Sequence, residues 1–312
     1  MALPSSTSLS SFGNTVLLIN YHDAVIYESD LKLIERRTEW LNDSCIHFFF
    51  TRLQKELESS LSCAKDNYTP SNLRSFFFMD PSVVSFWMHQ CIEQDEIDDV
   101  VNSTQFPGRK NKQGDGAVFI AVNDNMSSSS SLTNNSWQVP EGGSHWSLLL
   151  VEVVAKRGCE KDDKDTFTTI LRFSHFDSIR NSRNIRAAED IADKIRLHVY
   201  PKAATISTAP PFTSVNPNPS EGLVHQAKTP QQQNGHDCGV HVLGAAKILS
   251  KHLSMTRSTQ DLIGNKESNC RHLQQLEEFL RKEIGDDSED YCSRLRREVS
   301  FDIRGLHKGS EK

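Results

Sequence analysis

Apolar residues recur along this chain with two distinct periods, and the switches between them mark out its elements. Val16 to Asn20 is a short β-rich run that predicts an early strand. Ile46, Phe49, Phe50, Leu53 and Leu57 then return at three- and four-residue spacing, which places them on one face of a helix. That helix is expected to begin near Trp40-Leu41-Asn42-Asp43. Asn42 is suited to cap it, and Asp43 falls in the first turn, where a carboxylate complements the helix dipole. Leu73 to Phe78 reads as a strand. Pro81, whose fixed φ suits the first turn, opens a helix through about Cys91. Ala117 to Val122 is a β-type run. Trp146 to Val154 is almost continuously apolar, as in a central strand buried on both faces. Thr168 to Asp177 is rich in β-formers and ends in a polar turn. A helical stripe follows at Ile185, Ala188, Ile191, Ala192 and Ile195, then a short strand over Leu223 to Ala227. Val242, Ala245, Ala246, Leu249 and Leu253 form the apolar face of a helix after Cys238, and Leu273, Leu276 and Leu280 mark one more.

Between these segments the pattern breaks. Asn123 to Gly143 has a Ser-rich middle, and Ala204 to Gly222 is dominated by proline and serine. Neither can bury much apolar surface, so both are expected as surface insertions, near 126–140 and 204–222. Lys156 to Asp165 is a charged loop. Residues 1–15 are expected as a flexible Ser-rich segment, 16–284 as the folded domain, and 285–312 as a charged, frayed tail. Strands and helices are mixed without regular alternation, and no internal repeat is present. The expected class is therefore α+β rather than a doubly wound sheet.

Composition narrows the possibilities modestly. A chain of 312 residues can bury a sizeable core. A net charge of −6 argues against non-specific nucleic-acid binding. Seven cysteines lie scattered without framework spacing and without a CxxC pair. That usage suggests reduced thiols in the cytoplasm or nucleus and disfavours a structural zinc. The N-terminus has no basic leader followed by an apolar stretch, so no secretory signal is expected. No run approaches the ~20 apolar residues of a membrane span.

One position carries chemistry. Cys238 follows Gln231-Gln232-Gln233-Asn234-Gly235-His236-Asp237 and stands at the predicted start of a helix. A helix N-terminus favours the thiolate, but only by roughly 0.3–1 kcal/mol. One pKa unit is about 1.36 kcal/mol, so an imidazolium is also needed. His145, in Gly142-Gly143-Ser144-His145-Trp146-Ser147 at the entry to the long apolar strand, is the best placed. A carboxylate should orient its ring. If the two apolar strands are adjacent and antiparallel, Asp177 at the end of the second lies beside His145 at the start of the first. Asp124 and Asp237 are rivals, Asp237 also being suited to cap the Cys238 helix. A glutamine just upstream can offer its amide to an oxyanion. Each residue alone has an ordinary reading: a small buried thiol, one of twelve histidines, a turn-forming aspartate. The conjunction carries the weight.

Taken together, Trp40-Leu41-Asn42-Asp43, His145-Trp146-Ser147-Leu148, Asp177-Ser178 and Gln231 to Gly239 resemble the cysteine peptidases that process SUMO and related ubiquitin-like proteins. Ala121-Val122-Asn123-Asp124-Asn125 and Gly142 to Leu149 look like the deneddylase branch. The resemblance implies a papain-like fold with a central mixed sheet flanked by helices. It also implies cleavage after the terminal Gly-Gly of a ubiquitin-like modifier, the neddylation modifier first, with conjugates such as cullins as targets and no cofactor. By position, Cys238 becomes the nucleophile, His145 the base and acid, Asp177 its orienter and Gln232 the oxyanion donor. Trp40 and Trp146 would cover the diglycine tail, and Asp43 would face the modifier. Phe176 stands where tyrosine is frequent, and His236 where another aromatic is. A SUMO-specific peptidase and a non-catalytic reader of a modifier are the alternatives.

Overall fold

The computed structural model describes residues 16–64, 74–108, 115–127, 145–157, 167–179, 183–205, 222–256 and 266–310. An antiparallel pair, β1 (Leu17–Tyr21) and β2 (Ala24–Tyr27), leads into α1 (Glu28–Glu35) and the long α2 (Asp43–Ala64). The main sheet is built from β3 (Ser75–Met79), β4 (Gly116–Asn123), β5 (Trp146–Arg157), β6 (Phe167–Phe176), β7 (Ala204–Thr205) and β8 (Val224–Ala227). Its order is β3-β4-β5-β6-β7, with β8 also on β6. The pairs β4–β5 and β5–β6 are antiparallel and the others parallel. Helices α3 (Pro81–His89), α4 (Gln94–Ser103), α5 (Asn184–Lys194), α6 (Cys238–Met255), α7 (Lys266–Ile284) and α8 (Ser288–Ser310) complete the described fold. The class is α+β, with a mixed sheet flanked by helices.

Local chemistry accounts for the element boundaries. The Asn42 side chain accepts from Cys45 N at 3.0 Å and caps α2, as its sequence predicts. Asp80 does the same for α3, accepting from Ser82 N at 2.8 Å, with Pro81 at the first helical position. Helix α2 buries Phe49 and Phe50 of the expected stripe in the core, and Phe48 with them. Each such side chain contributes roughly 1.5–3 kcal/mol through removal from water. Every residue of β4 is buried, which explains its unbroken apolar run. A buried carboxylate in this sheet is paired. Glu152 of β5 takes Arg172 Nη1 at 3.0 Å and His272 Nε2 at 3.0 Å, tying α7 to the sheet. Burial alone would raise the Glu152 pKa, but His272, Arg172 and Arg74 hold it far below the usual carboxylate range.

Two expectations about segments change. The expected tail, 285–312, is not frayed over its described residues, 285–310. From Ser288 to Ser310 it is α8, with Cys292, Leu295, Val299 and Ile303 buried in the same core as α6. Those residues recur at spacings of three and four, but the charged residues between them hide the stripe. The first insertion also starts later than its composition suggests. Asp124–Met126 forms a tight 3-10 turn with Met126 buried. The rest of both insertions, 128–144 and 206–221, and residues 1–15 lie outside the described residues. Helices α1 and α4 and strands β2 and β7 lie outside the expected elements.

Candidate active site

Cys238 is the first residue of α6 and is 1% exposed. The turn before it is shaped by Asn234, whose side-chain oxygen accepts from His236 N at 3.1 Å and Asp237 N at 3.0 Å. Asparagine suits this because its short amide can imitate a backbone turn. Asp237 occupies the helix N-cap position, but its side chain makes no capping bond, so the sequence-based cap is corrected. Its carboxylate turns away to Arg296 of α8 and to Asn234 Nδ2 at 2.9 Å. The first turn of α6 keeps its amides free of a side-chain cap, which suits a site that must receive a negative oxygen.

His145 immediately precedes β5, and Asp177 immediately follows β6. The antiparallel register pairs Leu148 with Phe176, so the end of β6 returns beside the start of β5. The His145 ring meets Asp177 through Nε2 and Oδ1 at 2.7 Å. The other two carboxylates have different work. Asp124 accepts from the His145 backbone N–H at 3.3 Å, and Asp237 pairs with Arg296. Asn184, buried at the start of α5, adds a second brace: its Nδ2 reaches His145 O and Val122 O, each at 3.1 Å, and Ser147 Oγ at 2.9 Å.

Ring electrostatics single out one histidine. Burial pulls the His145 pKa down. The hydrogen bond to Asp177, the adjacent Cys238 side chain and the negative charge of both more than reverse this and bring it up to about 9. The ring is therefore an imidazolium at neutral pH. With Nε2 held by Asp177, Nδ1 is the nitrogen left for the sulfur, and it makes no closed hydrogen bond. The assignment of the two nitrogens is the reverse of the Ser-His-Asp arrangement, in which Nδ1 meets the carboxylate. The fold thus places a cation beside the sulfur, the second group that a helix start alone does not provide. Nearby His175 and His241 behave oppositely. Burial, against the pull of Asp177 on His175 and of Asp237 on His241 and with the help of the charge on His145, lowers both to about 4, so both are neutral.

Gln232 lies in the loop leading to Cys238. Its Nε2 donates to Asn234 O at 2.7 Å, its Oε1 accepts from Ser178 Oγ at 2.7 Å, and its backbone N–H donates to Ser178 O at 2.9 Å. The neighbouring Gln231 donates to the Asp177 carbonyl at 3.1 Å. The turn after β6 thus holds both the His145 partner and the glutamine loop.

The two tryptophans are placed differently. Trp40 is 43% exposed, whereas Trp146 is 5% exposed and donates its indole N–H to Leu41 O at 3.1 Å. Leu41 is also pressed against Gly239, where an added Cβ would meet the Leu41 Cβ at 3.0 Å. Glycine at 239 therefore lets the Trp40–Leu41 segment come down beside Cys238. Asp43 is exposed at the first position of α2. Crowding raises its pKa, and the charge of Asp80 raises it further. A cavity of about 560 Å³ lined in part by His175, Asp177, Lys228, Gln231 and Arg281 shares Asp177 and Gln231 with this constellation.

Sequence reasoning did not find Arg296, Asn184 or the hold of Ser178 on Gln232. Asp177-Ser178 was visible as a motif, but nothing in it names a partner 54 positions away. Arg296 sat in the stretch expected to fray.

Residues 137–290 match the Ulp1 protease family, C-terminal catalytic domain. The chain is 30% identical over 235 residues to the probable sentrin-specific protease 8 of Dictyostelium discoideum, covering 75% of each chain. It is 24% identical over 237 residues to the NEDD8-specific protease 1 of Arabidopsis thaliana, covering 76% of each. Among solved structures, a de-sumoylating protease superposes with a TM-score of 0.50 at 16% identity, over 96% of this chain and 93% of that one, a likeness of fold. A thiol at a helix start, a charged imidazole beside it and this kinship together make the chain a cysteine peptidase of the Ulp1 family.

Proposed function

We propose that this peptidase cleaves after the C-terminal Gly-Gly of a ubiquitin-like modifier, and that the modifier is the neddylation modifier. The observation that carries the chemistry is the contact of the His145 ring with Asp177 at 2.7 Å, on a ring held charged by Asp177 and Cys238. The choice of modifier is supported by a relative whose name specifies NEDD8.

In this reading the Cys238 thiolate attacks the carbonyl carbon of the last glycine. The oxygen gains the negative charge, which Gln232 Nε2 and the Cys238 backbone N–H receive. The tetrahedral adduct collapses and the C–N bond breaks. His145 gives its proton to the departing lysine amine, leaving a thioester. Water, losing a proton to His145, attacks that thioester; the C–S bond breaks, the modifier leaves with a C-terminal carboxylate, and the Cys238 thiolate is restored. Trp40 and Trp146 flank the approach, where only glycine is slim enough to lie beside them, and Asp43 faces the modifier.

The test is capture of full-length modifiers, each ending in a thiol-reactive electrophile: the neddylation modifier, SUMO and ubiquitin. Covalent trapping of the neddylation modifier, lost in Cys238→Ala, is expected. Trapping of SUMO alone overturns the choice of modifier. Binding of a modifier without trapping of any replaces turnover with a reader.

A further inference from the structure

We propose that Ser178 is a positioning residue for the reaction: its hydroxyl clamps the Gln232 amide in the orientation that presents Nε2 to the oxyanion. The proposal rests on the oxyanion role given to Gln232 above.

A glutamine amide presents a donor at one end and an acceptor at the other, and a half-turn exchanges them. Only the nitrogen end can stabilise a negative oxygen. A reversed amide would place Oε1 against the developing charge and repel it. The surroundings of Gln232 decide the orientation. Asn234 O, 2.7 Å away, can only accept, so Nε2 must face it. Ser178 Oγ, 2.7 Å from the other end, must then be the donor, and Oε1 its acceptor. The second hydrogen on Nε2 remains for substrate. Ser178 is buried, which holds its hydroxyl away from competing water. Its carbonyl also accepts the Gln232 backbone N–H at 2.9 Å, so main chain and side chain are gripped from the same residue.

The placement of Ser178 links two parts of the site. It follows Asp177, whose Oδ1 accepts from the His145 ring and from Ile179 N at 2.9 Å. One turn thus orients both the imidazole and the oxyanion donor. Without the hydroxyl, Oε1 has lost its donor and the amide is free to leave Asn234 or rotate. Binding of the modifier's body does not depend on this amide, so the loss falls on turnover.

The experiment measures kcat and KM for Ser178→Ala, Gln232→Ala and the double variant. The substrates are the neddylation modifier and SUMO, each carrying a C-terminal fluorogenic amide. Ser178→Ala is expected to lower kcat by about 5–10-fold, the scale of one neutral hydrogen bond, with KM within about 2-fold. Added to Gln232→Ala, which itself costs about 10²–10³-fold, it should cost nothing more. The alkaline limb of the rate profile should stay near pH 9, because Asp177 and His145 are untouched. Ser178→Cys, near in size but a weaker donor, should fall between serine and alanine and guards against a folding failure of the alanine variant.

An unchanged kcat in Ser178→Ala beside a large loss in Gln232→Ala overturns the proposal alone. An equal loss in the Gln232→Ala background, or a shifted alkaline limb, also overturns it by assigning Ser178 to the general fold or to Asp177. An unchanged kcat in Gln232→Ala removes the oxyanion reading, and the proposal with it.

Discussion

Arg296 closes on Asp237 with two nitrogens on one carboxylate oxygen, Nε at 3.1 Å and Nη2 at 2.9 Å. The same guanidinium donates to Leu33 O at 2.9 Å, Arg36 O at 3.2 Å and Glu39 O at 2.7 Å. A residue of the last helix therefore ties the turn before Cys238 to the segment before Trp40. Five donors in a planar fork make arginine suited to such a junction.

Breaking the junction from one side should be costly. The two side chains are 4% and 8% exposed, so Arg296→Met leaves a buried carboxylate without its cation. A destabilisation of about 3–5 kcal/mol is expected, read from the denaturant midpoint. The Arg296→Met/Asp237→Asn double variant should recover part of it, because no unpaired charge is then buried. A double variant less stable than Arg296→Met would show that the charge pair is not the main contribution.

The charge on His145 predicts a pH profile. A raised pKa keeps the ring protonated below about 9 and neutral above, so kcat/KM should fall on an alkaline limb near that pH. By linkage, the same charge adds to folding stability below the unfolded value of about 6.5, and this contribution fades as pH rises through the folded value. Asp177→Asn removes a main cause of the raised pKa. It should move the limb to lower pH and reduce kcat by roughly 10²–10⁴-fold. A limb that stays in place would place the origin of the charge elsewhere.

The tryptophans should separate by assay. Trp40→Ala removes an exposed ring and should raise KM with little change in melting temperature. Trp146→Ala removes a buried ring and its bond to Leu41 O, and should cost about 3–5 kcal/mol of stability as well as activity. Equal melting temperatures for the two variants would contradict this division.

Gly239→Ala tests the close approach beside Cys238. The new Cβ would lie 3.0 Å from Leu41 Cβ, so Leu41 must give way by a few tenths of an ångström and carry Trp40 with it. KM should rise several-fold, on the order of 1 kcal/mol of lost tail binding. A KM equal to that of the unaltered protein would mean that the Trp40 segment does not shape the cleft.

Much of this could be read along the chain because it is local. The α2 stripe, the cap at Asn42, the unbroken run of β5 and the helix behind Cys238 each depend on neighbours within a few positions, where a period or a cap is visible. Even the approach of Asp177 to His145 follows once two long strands are assumed antiparallel. Other features depend on which distant groups meet, and no periodicity encodes that. Three aspartates were plausible partners for one imidazole. Only the packed chain assigns Asp177 to the ring, Asp124 to the backbone and Asp237 to Arg296. Arg296 shows the limit most plainly. Its bond to Leu33 spans 263 positions, and the charge density that makes α8 look soluble in isolation is what hides a helix whose apolar stripe is buried in the core. Local sequence sets which conformations are cheap, whereas burial, which belongs to the assembled fold alone, decides which charges must find one another.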